Sequence, residues 1–505
     1  MTHSKTIAFT IALILLLSGA VFLSKDLGTG EKLRYDSYFT LERSHNFQKY
    51  HDWFSVFSSN RPSPKKPPLQ YWLTAFGSEL GLSDLLSLRL PSFIFFLGLT
   101  IASGFISYLL SNRNPWSVPA TILLMGCSLQ LVRLGRSGLL DSGMGFFIIL
   151  SLLTFFYAKE NSKSWILCGL FCGLGALQKA PIAIIYVTIM LFMLRKRDGY
   201  YQWSSLRQNK DFNRGLYLSI ALFLFWPVLQ TFRHGTDYIR VAVGEQMIGR
   251  FTPVGGERIA ESNFFNWVEW LWKDLHLIGI VAIACVVLVF CYRQLRENHR
   301  LFALSTIIVV VAVAFSFATG SLYSRYIAVL SPLLVCITVV VVSHFISWKP
   351  GILILCAIFF GIYFGHIEKT MEKINKTRHG YSLVKEYVHL IDEFKNKDDY
   401  VVLDRSIIPS GAYGYFGIGR EGYSGPRFLD KRALKKNFQH TVNKDSLKEI
   451  KSYVQRAENK ESFIGFTRKS YQPAMEEILG PVEVLSSSGE FMVWRSKIVS
   501  AKRNL

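Results

Sequence analysis

Acidic residues are the scarce charge in this chain: 36 Asp and Glu stand against 57 Lys and Arg, a formal net charge of +21. In a soluble protein that imbalance would point to nucleic acid. No nucleic-acid-binding motif accompanies it, and the basic residues instead flank apolar runs and fill the connections between them, as membrane orientation requires. Cysteine is sparse too. The seven (Cys127, Cys168, Cys172, Cys285, Cys291, Cys336 and Cys356) all fall in apolar segments. That placement excludes a disulfide framework and a thiolate metal cluster, and leaves them as small buried hydrophobes. Internal repeats and low-complexity stretches are lacking. So are a Walker motif, H-E-x-x-H and G-x-S-x-G, which removes the sequence basis for P-loop, zincin and α/β-hydrolase chemistry.

What is plentiful is apolar surface. Of the 505 residues 50% are hydrophobic. Apolar runs near twenty residues recur, and each is long enough to cross ~30 Å of hydrocarbon as a helix. The fold class is therefore an all-α polytopic membrane bundle of about 11–13 transmembrane helices with a C-terminal soluble α/β domain. Eleven spans are predicted: 6–24, 88–110, 116–132, 139–157, 165–177, 180–194, 216–232, 275–290, 302–318, 326–345 and 352–364. The first has a long apolar core and no clear A-x-A cleavage site, so it reads as a retained span and not as a signal peptide.

Loop charge orients these spans. The even-numbered connections carry Arg113; Lys159 and Lys163; Arg195, Lys196, Arg197, Arg207, Lys210 and Arg214; Arg293, Arg296 and Arg300; and Lys349. The positive-inside rule places them in the cytoplasm, which puts the first loop (25–87), the second large loop (233–274) and the tail outside. The first loop breaks the rule, since it holds Lys32, Arg34, Arg43, Lys49, Arg61, Lys65 and Lys66. Cations kept outside against the usual bias suggest a task there, such as holding an anionic lipid head group. Pro67-Pro68 fixes φ twice and cannot donate, so it braces Lys66 at a set distance from the apolar Leu69–Trp72. Solvated lysines at a membrane surface are the plainer alternative.

The spans and their loops make a transmembrane domain over 1–366, and the composition changes after it. Residues 367–505 read as a small α/β domain: helices over 381–394 and 445–457, and strands over 399–404, 462–467, 482–486 and 490–495. In the second large loop, FFNWVEWLW (264–272) suggests an interfacial helix or an aromatic belt. The Gly-rich stretch 408–426 lacks a strand–G-x-G-x-x-G–helix frame and is read as a loop.

Ionisable residues within or at the ends of spans are costly, so each is a functional candidate. Asp36 follows the first span. Arg136 and Asp141 open the fourth. Lys179 lies in the tight turn between the fifth and sixth, and Arg325 starts the tenth. The topology puts these five on one outer face with Lys66 and Arg250. Two carboxylates and several cations at one membrane face suit a reaction with a phosphate leaving group: the cations stabilise the departing phosphate and a carboxylate orients or deprotonates an acceptor. Plainer roles stand beside this. Arg136 and Arg325 also fit snorkelling anchors, Lys179 a helix C-cap, and Asp141 a structural pair with Arg136.

The order Asp36, Asp52-Trp53, KPPLQYW (66–72), RLPS (89–92), GRSGLLDSGMGFF (135–147), LQKAP (177–181) and SRYIAVLSP (324–332) resembles the membrane glycosyltransferases of the protein O-mannosyltransferase superfamily. The likeness covers about the first 335 residues and is nearest the bacterial branch that includes lipid A aminoarabinose transferases. It implies a GT-C fold, a polyprenyl-phosphate-linked sugar as donor, and transfer with inversion at the outer face of the inner membrane. By the same resemblance Asp36 and Asp141 are the catalytic acids, and Lys66, Lys179 and Arg325 contact the donor phosphate. Arg250 and Arg136 join them as cations of the same face. The chain departs from the pattern in three places. Ser37 follows Asp36 where many relatives have Glu, Lys65 stands where an acid often precedes K-P-P, and no histidine follows Arg250-Phe251. No metal ligands are assigned and a divalent metal is not expected.

The expected partners are the lipid-linked sugar, membrane lipids, and a glycolipid (lipid A or lipopolysaccharide-like) or surface-glycan acceptor, with the protein acting as a monomer. Protein O-glycosylation is the second enzyme reading. A lipid-linked sugar flippase is the third, disfavoured because the charges sit at span ends and no repeat is visible.

Overall fold

The computed structural model describes residues 2–29, 33, 35–58, 61–63, 65–245, 266–317, 324–375, 381–394, 399–404, 427–429, 462–473, 476 and 480–497. Arg250 and the helix expected over 445–457 lie outside the described residues, as does the Gly-rich stretch 408–426.

Contacts divide the chain into two compact units. One takes 1–30, 50–56 and 62–375; the other takes 31–49, 57–61 and 376–505. The first is a helical bundle. Its helices of seven residues or more are α1 (Thr2–Ser24), α3 (Leu69–Glu79), α4 (Asp84–Leu110), α5 (Ser117–Gly126), α6 (Leu129–Gly135), α7 (Leu140–Tyr157), α8 (Ser164–Gln178), α9 (Ile182–Leu194), α10 (Lys210–His234), α11 (Asn266–Leu275), α12 (Leu277–Cys291), α13 (His299–Phe317), α14 (Ser331–Phe345) and α15 (Gly351–Asn375). Helix α2 (Tyr35–Tyr50) falls almost wholly in the second unit.

Among the described residues seven helices are long and apolar enough to cross a membrane, or up to nine if two bent pairs each count as one span. The bent pairs are α5 with α6, broken by 80°, and α11 with α12, broken by 119°. Two shorter apolar helices, α8 and α9, complete the set, so each of the eleven expected spans has a helical counterpart. In hydrocarbon an unpaired peptide group costs several kcal/mol, and the helix satisfies all of its own interior groups. The chain is a multi-pass membrane protein.

The apolar core runs through α4, α5, α7, α9, α12, α13 and α14, with Leu99, Ile106, Met125, Leu152, Met190, Leu304 and Val335 essentially inaccessible. Its two ends differ in charge. At one end the connections pair with one another: Arg113 with Glu160 at 2.6 Å, Lys159 with Asp198 at 2.7 Å, and Asn298 Nδ2 donating to Leu110 O at 3.0 Å. These are the connections that the loop-charge rule assigns to one side. At the other end of α7 and α8 stand Asp141 and Lys179.

A fully buried carboxylate welds both bends. Asp274, at the end of α11, accepts from Ser128 Oγ (2.7 Å), Gln130 N (2.7 Å) and Ser331 Oγ (2.5 Å). Ser128 also caps α6 through Leu131 N. The carboxylate therefore joins the α5–α6 break, the α11–α12 break and the first residue of α14. In the sequence Asp274 marks only the end of the second large loop. Nothing in its local pattern distinguishes a buried acceptor of three donors from a solvated acid.

In the second unit α16 (Tyr381–Phe394) packs on a five-stranded sheet. Its strands are β3 (Asp399–Asp404), β4 (Arg427–Leu429), β5 (Ser462–Arg468), β6 (Glu483–Ser488) and β7 (Phe491–Lys497), in the order β4-β3-β5-β7-β6; β1 (Phe57–Ser58) and β2 (Arg61–Pro62) form a separate two-residue pair in the first loop. The β3–β4 and β3–β5 pairings are parallel, and the β5–β7 and β6–β7 pairings are antiparallel. Gly489, with φ +53°, makes the tight turn between β6 and β7. Tyr387 of α16 packs its ring 4.0 Å from that of Phe466.

Candidate active site

Asp141 is the second residue of α7 and Lys179 the C-cap of α8. An acid in a first turn and a cation at a helix end each meet the favourable pole of the helix dipole. The two side chains form an ion pair, Lys179 Nζ to Asp141 Oδ1. Their side chains are 10% and 4% exposed, so little water competes. Arg325 stands in a 3-10 segment (Ser324–Val329) that leads into α14, and its Nε is 4.0 Å from the other oxygen of Asp141. Tyr326 floors the group, with Lys179 Nζ 4.8 Å above its ring centroid. Lys66, held by Pro67 and Pro68 just before α3, lies within electrostatic range of the Asp141 carboxylate. Two cations, Lys179 and Arg325, thus face one buried acid, and Lys66 acts on its charge from further away.

A buried ion pair seldom stabilises a fold by itself, because desolvation offsets the Coulomb gain. Cations gathered at the end of a helical bundle are instead suited to an anion, which they meet with little reorganisation.

Of the remaining candidates, Arg136 has a structural task. Arg136 is the C-cap of α6 and turns toward α1, donating from Nη1 to Leu23 O and from Nη2 to Lys25 O at 2.7 Å. Arg89, of the RLPS motif, does the same from α4, with Nη1 2.9 Å from Leu27 O. Two buried arginines therefore serve carbonyls at and just beyond the end of the first span, where a helix end leaves such groups without partners. Asp141 pairs with Lys179, not with Arg136 five residues before it on the adjoining turn. Asp36 lies in the first turn of α2, half-buried, with Thr40 Oγ1 donating to its carbonyl at 3.1 Å. Glu42 on the same helix is buried and accepts from Ser58 Oγ at 3.3 Å. Its acidity was legible, its burial was not. Among the described residues no three His, Cys, Asp or Glu side chains gather as a metal site.

Asp52-Trp53 has a structural task. The Asp52 carboxylate takes both 2.8 Å contacts from Arg233 Nη1 and one of 2.9 Å from Phe54 N. Gln230 Nε2 donates to Phe54 O at 2.6 Å, and Trp72 Nε1 to Trp53 O at 2.8 Å. The 52–56 turn is thereby pinned to the end of α10 and to α3. Burial alone would raise the Asp52 carboxyl, but its hydrogen bonds from Phe54, Arg233 and Ser55 outweigh that and hold it below the usual carboxylate range.

Residues 65–230 match the family described as dolichyl-phosphate-mannose-protein mannosyltransferase. A curated undecaprenyl phosphate-alpha-4-amino-4-deoxy-L-arabinose arabinosyl transferase from Pseudomonas aeruginosa (strain UCBPP-PA14) is 32% identical over 167 residues, 30% of this chain and 29% of that relative. Its counterpart from Pseudomonas paraeruginosa is 28% identical over 254 residues, 46% and 41% of the two chains. The chain thus aligns with well under two thirds of these relatives' length.

The crystal structure of ArnT from Cupriavidus metallidurans bound to undecaprenyl phosphate superposes with a TM-score of 0.67 at 13% identity, covering 96% of this chain and 97% of that one. The archaeal oligosaccharyltransferase AglB from Archaeoglobus fulgidus, in complex with an inhibitory peptide and a dolichol-phosphate, gives 0.55 at 12% identity over 95% and 74%. The chain has the GT-C membrane fold of these solved structures and, over 65–230, the sequence pattern of the mannosyltransferase family.

Proposed function

We propose that this protein is an inverting glycosyltransferase that moves a sugar from a polyprenyl-phosphate donor to an envelope glycolipid or surface glycan at the outer face of the inner membrane. The observation that carries the reading is the gathering of Lys66, Lys179 and Arg325 around the buried Asp141 at the bundle end opposite the paired basic connections. The similarity to arabinosyl transferases and the undecaprenyl phosphate in a structure of the same fold support the donor class. In the reaction an acceptor hydroxyl forms a bond to the anomeric carbon as the bond from that carbon to the phosphate oxygen breaks. The electron pair leaves with the polyprenyl phosphate, and the hydroxyl proton goes to a carboxylate. Asp36 is assigned that carboxylate on the sequence motif. Lys66, Lys179 and Arg325 stabilise the charge that develops on the phosphate. The part of Asp141 is to hold Lys179 and Arg325 in place.

The test is mass spectrometry of envelope glycolipids from cells with and without the protein, repeated with Asp36→Asn and Lys66→Ala. The expected result is a sugar-bearing glycolipid that disappears without the protein. Each variant should reach the membrane normally and transfer at least ~10²-fold more slowly, the usual effect of removing one stabilising group. Full activity in both variants would end the proposal. A glycosylated peptide in place of a glycolipid would select protein O-glycosylation, the reading that the description of the matched family favours.

A further inference from the structure

Behind the charged site lies a polar network that no charge explains. Gln178 precedes Lys179 by one residue, and Gln70 follows Lys66 by four. Both side chains are fully buried. Gln178 Nε2 donates to Gln70 Oε1 at 2.9 Å and to Leu140 O at 3.2 Å. Gln70 Nε2 donates to Ser92 Oγ at 3.3 Å, and Ser92 Oγ to Leu139 O at 3.0 Å. Ser142 Oγ closes the circuit on Ser92 O at 2.8 Å. Leu139, Leu140 and Ser142 immediately flank Asp141. Gly143 leaves the necessary room, since a Cβ there would stand 2.3 Å from Gln178 Nε2.

Burying amides in an apolar bundle is expensive, and this circuit is incompletely satisfied: Gln178 Oε1 is buried and accepts no hydrogen bond in the structure. Such a network is a poor device for stability. Its members, however, sit beside Lys66, Asp141 and Lys179, which come from three different helix ends. We propose that Gln70, Ser92 and Gln178 are positioning residues, which fix the spacing of those three charged groups so that together they fit one phosphate group. The proposal rests on the reading of this site as the donor-phosphate site.

The probe is undecaprenyl phosphate, added to the full-length protein in lipid vesicles, with affinity and thermal unfolding measured together. Gln178→Met alone strands its partner and should lower both. The double variant Gln70→Met with Gln178→Met replaces both partners by apolar side chains of similar size, which restores most stability. Ser92→Ala removes one hydroxyl with little change in volume. In whichever of these two melts near the unaltered protein, affinity for undecaprenyl phosphate should remain about tenfold or more weaker. Affinity that returns with stability would overturn the proposal and leave the network as scaffolding. Lys66→Ala and Lys179→Ala serve as controls. If they bind the probe like the unaltered protein, the donor-phosphate reading itself has failed. If they lose binding while the stable network variants keep it, only the present inference falls.

Discussion

At the scale of single residues, Arg136 shows how one side chain can satisfy two readings until its partners are known. A buried arginine within GRSGLLD suits a phosphate ligand equally well as an anchor. In the structure it serves carbonyls at the end of α1. Arg136→Met should therefore lower thermal stability, by about 1.5–3 kcal/mol for each charge-assisted hydrogen bond lost. It should leave affinity for undecaprenyl phosphate within a few-fold of the unaltered protein. Unchanged melting together with lost affinity would return Arg136 to the phosphate site. Lys66 and Lys179 differ from it for a reason partly visible in the chain: Pro67-Pro68 and Pro181 restrict the backbone beside each, and a restricted backbone fixes where a cation can go. That Lys179 and Arg325 both meet Asp141 was not visible. Their separations from Asp141, 38 and 184 residues, carry no local signal.

At the scale of elements, the close crossing of α8 and α10 is set by glycine. A Cβ on Gly169 would lie 1.9 Å from Gly215 O, and one on Gly215 would lie 2.1 Å from Trp165 O. Both obstacles are backbone, which cannot rotate away, so the helices approach only because both positions are bare. Gly169→Ala should force them apart and cost more than the ~1–3 kcal/mol of ordinary overpacking. Thermal unfolding in detergent checks this; a melting temperature within a degree of the unaltered protein would refute it. G-x-x-x-G at 169–173 was in plain sight, yet it names a close face without naming the partner.

The turn at 52–56 makes a second test at this scale. Because the Asp52 carboxyl titrates lower in the fold than in the unfolded chain, its contribution to stability is present above the unfolded carboxylate pKa of about 4 and is lost as pH falls through the lower, folded value. Melting temperature should drop on acidification in that window. Asp52→Asn should flatten that part of the profile; an unaltered acid slope in the variant would show that another carboxylate is responsible.

At the scale of the whole molecule, α2 belongs to the same compact unit as residues 376–505 although more than three hundred residues separate them. The motif acid Asp36 thus sits on an element grouped with the C-terminal domain. Truncation after Asn375 should leave the bundle inserted and able to fold, while transfer is lost with the surroundings of α2. Retained transfer by the truncated chain would show that Asp36 acts without that domain.

The chain by itself determined the membrane bundle, because hydrocarbon demands helices and the apolar runs have the length that demand requires. It determined which loops are basic, and it spelled out the α/β tail in alternating and helical periods. Only tertiary structure decided which charges meet. An ion pair such as Lys179 with Asp141, or a buried acceptor such as Asp274, depends on which helix ends lie side by side, and periodicity along one strand of sequence carries no record of distance across a bundle.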